Sequence, residues 1–110
     1  VEVATLQQTA AEISLKQARN SLQNDIRQAY FDAVAAQRRY RALRVQLKAF
    51  RRAFELNEKQ YQAGQISFVD YRESLNNITR ARQELRQAKF NFLFRRNILA
   101  FYGGQPLQLD

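Results

Sequence analysis

Residues 15–61, LKQARNSLQNDIRQAYFDAVAAQRRYRALRVQLKAFRRAFELNEKQY, place apolar side chains at alternating steps of four and three. The seam runs Leu15, Leu22, Ile26, Ala29, Ala33, Ala36, Tyr40, Leu43, Leu47, Phe50, Phe54, Asn57, Tyr61. Its one gap falls at Arg19, and only Asn57 is strongly polar. This is a heptad pattern, which keeps one side of a helix against a partner over many turns. No proline interrupts it, and the first glycine of the chain is Gly64. At a rise of about 1.5 Å per residue such a helix is about 70 Å long, far beyond an ordinary globular helix. A rod of that kind needs a mate.

The mate lies downstream. Ala63-Gly64-Gln65-Ile66-Ser67 is the one strong turn signal in the interior. Gly64 suits the left-handed residue that ends a helix, and Ser67 suits the N-cap of the next, with Asp70 three residues on as a capping-box-like partner. The following segment has its own seam, Tyr71, Ile78, Leu85, Phe92 and Leu99, supported by Ala81 and Ala88, before Gly103-Gly104-Gln105-Pro106 stops it. The expected fold is all-α: a long antiparallel hairpin or coiled coil with helices over about 3–62 and 68–102 and a turn at about 63–67. Position i should lie beside roughly 129 minus i, which sets Phe50 and Phe54 near Ile78 and Leu75, and Leu43 near Leu85. Asn20 to Asp25, rich in residues that compete for backbone hydrogen bonds, marks a place for a kink or restart.

Composition agrees with a single helical unit over 1–110, with a short tail from about 103. Glycine (3) and proline (1) are scarce, and no run of 18 apolar residues could cross a membrane as a helix. The chain begins at Val1 and carries no visible signal peptide, so it reads as an excised or processed piece. A second apolar stripe, Ala35, Ala42, Ala49, Leu56 and Ala63 on the first helix with Phe90, Phe94, Ile98 and Phe101 on the second, leaves the hairpin incomplete. It should pack sideways into a larger helical bundle, and the isolated chain should self-associate.

The net charge is +8 and unevenly placed. Arg38, Arg39, Arg41, Arg44, Lys48, Arg51 and Arg52 have no acid among them, and Arg80, Arg82, Arg86, Lys89, Arg95 and Arg96 enclose only Glu84. Such groups suit a solvated outer face. They also allow the alternative of a stand-alone basic bundle binding nucleic acid or an acidic protein, or a membrane-surface coiled coil. The antiparallel register sets the two groups at one height, so they should point outward rather than at each other.

Catalytic equipment is sparse. With no histidine and no cysteine, the usual general base, thiol nucleophile and soft metal ligands are missing, and no cofactor or metal is expected. Asp70 and Glu73 sit near a helix start, where carboxylates complement the dipole. Asn77-Ile78-Thr79 matches a glycosylation sequon, but Ile78 belongs to the seam. An enzyme is not expected.

Tyr61-Gln62-Ala63-Gly64-Gln65-Ile66-Ser67-Phe68-Val69-Asp70-Tyr71, followed by Ala81-Arg82-Gln83-Glu84-Leu85-Arg86-Gln87-Ala88, resembles the C-terminal half of the TolC family of outer-membrane efflux proteins. The resemblance covers nearly the whole chain. It implies a homotrimer with two repeats per subunit, whose outer-membrane barrel continues into a helical periplasmic tunnel. The chain would be a periplasmic portion of a Gram-negative outer-membrane protein, and Tyr61 to Asp70 would be a tip meeting the adaptor of a tripartite pump. On that footing Ala63, Gly64, Gln65 and Ile66 match the part read by the adaptor. Tyr61 and Asp70 match residues that help hold the channel shut, and Glu73 takes the place of a second tip acid. Two departures stand out: Ile66 where some members carry a basic residue, and Arg72 in place of an aliphatic. The function implied is structural, as wall and tip of an efflux channel serving an inner-membrane pump, with no nucleic acid involved.

Overall fold

A computed structural model of the chain describes residues 1–103. Two helices make up the architecture: α1, Glu2–Gln62, and α2, Phe68–Phe101. No strand occurs among the described residues. Of the expected C-terminal stop, Gly104, Gln105 and Pro106 lie outside them, as does the rest of the tail. The molecule measures 93 × 24 × 13 Å. A straight helix the length of α1 spans about 90 Å, so α1 accounts for the whole long axis. The helix runs through Asn20–Asp25 without the break that their cap-forming side chains suggested. Those residues are exposed, and with water on every side their polar groups need not disturb the backbone.

The turn explains why the helices double back. Gly64 adopts φ +75°. The Gln65 N–H reaches back to the Gln60 carbonyl at 2.7 Å and the Gly64 N–H to Tyr61 at 3.0 Å. Together these bonds form a Schellman motif, which satisfies carbonyls that a stopped helix leaves open. Three residues later the Ser67 hydroxyl accepts from the Asp70 N–H at 3.2 Å, capping α2 at its start. Gly103, at φ +82°, repeats the left-handed exit after α2.

Between the helices lies one narrow seam in three groups. Ala29 and Ala33 hold Leu99; Ala36 and Tyr40 hold Ala88 and Phe92; Leu47 meets Ile78 and Ala81 with Phe50 and Phe54 alongside. Phe92 is fully enclosed, its ring stacked 6.1 Å from Tyr40. The alanines on α1 make room for the larger side chains of α2, which is how two helices approach closely without a third. Leu43 and Leu85 flank the central group as the register requires. Cross-helix pairs Asp32–Arg95, Tyr40–Phe92, Asn57–Ser74 and Tyr61–Phe68 keep to the expected alignment over the whole overlap.

Three details differ from the sequence-based expectation. Leu75 is 41 % exposed, and Ser74 takes the buried place beside it. Ser74 accepts a hydrogen bond from Asn57 Nδ2 at 3.0 Å, so the one polar seam residue of α1 meets a polar residue of α2. Ile98, assigned to the outer stripe, is partly buried against Ala29, Ala33 and Leu99. The rest of the outer stripe is exposed, including Leu56, Phe90, Phe94 and Phe101. Leu15 and Leu22 are also about half exposed, because α2 ends before it can cover them.

Phe92→Ala should lower stability by about 3–5 kcal/mol, enough to cost a two-helix hairpin much of its cooperative thermal unfolding followed by circular dichroism. Gly64→Ala should cost only about 1 kcal/mol. Nothing lies within 4 Å of the added methyl, and the strain is that of the backbone alone. Removing the Ser67 cap with alanine should cost about 1 kcal/mol more. Sedimentation of the wild-type chain should show association, driven by the uncovered outer stripe.

Candidate functional site

The hairpin's closed end collects the tip residues, and its shape follows from the two caps. Between the end of α1 and the start of α2 the backbone turns through Ala63, Gly64, Gln65 and Ile66. Ala63, Gly64 and Gln65 are exposed, whereas Ile66 is partly covered. The small Ala63, the open Gly64 and the flexible Gln65 leave the backbone of the turn accessible from outside.

Directly behind the turn sits a group of rings. Tyr61 stacks on Tyr71 with centroids 4.7 Å apart and planes 17° from parallel. Phe68 lies 6.1 Å from Tyr61 and 6.5 Å from Tyr71, and Phe54 lies 5.8 Å from Tyr71. Aromatic pairs at these separations contribute about 0.5–1.5 kcal/mol beyond area burial, so the rings brace the end of a hairpin that has little other core there. Tyr61 therefore serves a packing role, and it remains 38 % exposed.

Asp70 and Glu73 do not join Tyr61. They line a shallow groove of about 250 Å³ together with Phe50, Ala53, Asn57, Ser74 and Asn77. That groove follows one flank of the hairpin, beside the Asn57–Ser74 hydrogen bond. The tip thus has two parts: an aromatic brace carrying Tyr61, and a carboxylate-bearing flank carrying Asp70 and Glu73. Two exposed apolar residues at the start of α2, Phe68 (57 %) and Val69 (72 %), complete the surface. Sequence reasoning passed over them because neither lies on a seam; the available signal was a pair of large apolar residues next to an N-cap, where the first turn is open to solvent.

No group of histidine, cysteine or carboxylate side chains able to hold a metal ion is present among the described residues. No helix among them is long and apolar enough to cross a membrane.

Among known protein families, the model described as outer membrane efflux protein matches residues 1–105. Neither the comparison with curated proteins nor that with solved structures returned a match. The family match spans both helices and the turn between them. The chain belongs to the outer membrane efflux protein family.

Proposed function

We propose that this chain, as a single helical unit, is the periplasmic wall-and-tip hairpin of an outer-membrane efflux channel, contributing structure rather than catalysis. The observation that carries this reading is the form of the hairpin. It is a 93 Å rod with one seam closed, a second apolar stripe open, and a tight turn exposed at one end. A finished monomeric bundle covers its apolar faces. A stave of a larger wall leaves them for neighbours.

In this reading the outer stripe meets adjacent hairpins of a trimeric parent. The turn at Ala63, Gly64, Gln65 and Ile66 then offers its backbone to a periplasmic adaptor, through which an inner-membrane pump is engaged. Asp70 and Glu73, on one flank of the tip, are placed for polar contacts with a neighbouring tip, while Tyr61 holds the end rigid from within. The family match supports the class, and the exposed turn supports the adaptor-facing role. A basic bundle that binds nucleic acid would account for the charge but leaves the outer stripe and the tip without a purpose.

In the full-length parent, Gly64→Leu and Asp70→Arg should each change sensitivity to exported drugs while the assembled channel still forms, as read by minimum inhibitory concentrations and by crosslinking. Unaltered sensitivity for both would remove the tip assignment.

A further inference from the structure

The first turns of α1 carry an apolar stripe that belongs neither to the seam nor to the outer stripe of the shaft. Val3, Leu6, Ala10 and Ile13 follow one another at steps of three, four and three. At about 100° per residue they fall within an arc of about 80°. Val3, Leu6 and Ile13 are 66 %, 68 % and 52 % exposed, and Ala10 is exposed with them. The stripe lies about 150° round the helix from Leu15 and Leu22, so an element continuing α2 along the seam would leave it bare. Gln17, Asn20 and Asn24 take the next positions in the same rhythm and separate it from Ala35 and Ala42.

The pattern of the stripe narrows what covers it. Apolar residues at heptad positions a, d, a and d read the same in both directions, so the stripe matches a second copy of itself running the other way. About a twofold axis near residue 8, Val3 meets Ile13 of the second copy and Leu6 meets its Ala10, each pair occurring twice. Sliding the overlap one heptad further sets Val3 against Asn20 and Leu6 against Gln17, which leaves apolar side chains facing amides. The overlap ends well short of the α2 terminus, and the two shafts leave it in opposite directions without collision.

Charge selects the same register. Along one border of the stripe lie Glu2, Thr9 and Lys16, each just before a position of the heptad rhythm. In antiparallel pairs the border residues of the two helices face each other and set orientation by their charges. The axis near residue 8 brings Glu2 beside Lys16 of the second copy, twice, and Thr9 beside its Thr9. The two charges differ in height by about 3 Å, within reach of a lysine side chain. The other border, Gln7 and Ser14, is uncharged. Among the described residues neither Glu2 nor Lys16 forms an ion pair within the chain. Glu12 points about 130° from the stripe, outside the contact. A parallel pair would set Glu2 beside Gln7 and Lys16 beside Ser21, and would gain from neither charge.

We propose that residues 2–16 of α1 are a docking surface for the same segment of a second copy of this chain. The two hairpins then join end to end, with their turns pointing apart. The overlap is smaller than a standard protein interface, so the contact is weak and sensitive to salt. It is distinct from the sideways packing of the shafts and does not rest on the channel function proposed above.

The chain has no cysteine, so a single introduced thiol reports the contact. Thr9→Cys, set close to the twofold axis, should be joined by a short bismaleimide at least about tenfold faster than Thr5→Cys, an equally exposed site on the far face. Added to Thr9→Cys, Lys16→Glu should slow the crosslink about fivefold and Glu2→Lys likewise, while the two together should restore it. Phe94→Gln, which weakens sideways packing, should leave the crosslink unchanged. None of these positions belongs to the core between the helices, so the hairpin folds in every variant. Equal crosslinking of the two cysteines, or a charge swap that restores nothing, overturns the proposal. So does loss of the crosslink in Phe94→Gln, which would mean that the arms meet only where the shafts have packed side by side.

Discussion

The five residues from Ala63 to Ser67 set the terms for everything else in this molecule. α1 has no intrinsic reason to stop where it does except that Gly64 enters the left-handed region and closes the Schellman bonds. Ser67 then restarts the chain as α2 only three residues later. So short a link fixes how far α2 slides along α1. A slip of one residue would turn Phe92 away from Tyr40 and rotate the α2 seam by about 100° out of contact. The Asn57–Ser74 hydrogen bond adds a second check near the turn, since any other alignment strands polar groups against apolar ones.

Much of this was written in the sequence because helices announce themselves by period. The positions at steps of four and three became the buried face between Ala29 and Leu47, and Gly64 and Ser67 took the backbone roles their chemistry favours. What periodicity could not give was partnership between side chains. Asn57 reads as a flaw in its seam until Ser74 is found opposite it, and Ser74 is visible only once both helices are in place. Ile98 was misassigned for a related reason. A seven-residue spacing drifts by about 20° per heptad on a straight helix, so residues at the border of two stripes change sides along a rod of this length.

The tip was legible in outline and not in detail. Its backbone turn followed from composition. The separation of Tyr61 from Asp70 did not, because it depends on the direction in which the first turn of α2 presents its side chains. Tyr71 takes the inward place and draws Tyr61 into a stack, leaving Asp70 with Glu73 on the flank. Charge is divided in a comparable way along the shaft, with a basic groove on one side and carboxylate-lined grooves elsewhere. The hairpin is therefore two-sided as well as two-ended.

Its ends are unequal in a further respect. α1 extends beyond α2 as a lone helix over roughly its first 24 residues, about 36 Å by helical rise. A cylinder assembled from such staves has twice as many helices around it near the turns as it has at the opposite rim. Holding the same girth there requires some other element to interleave with each solitary arm. Without one, the cylinder must taper.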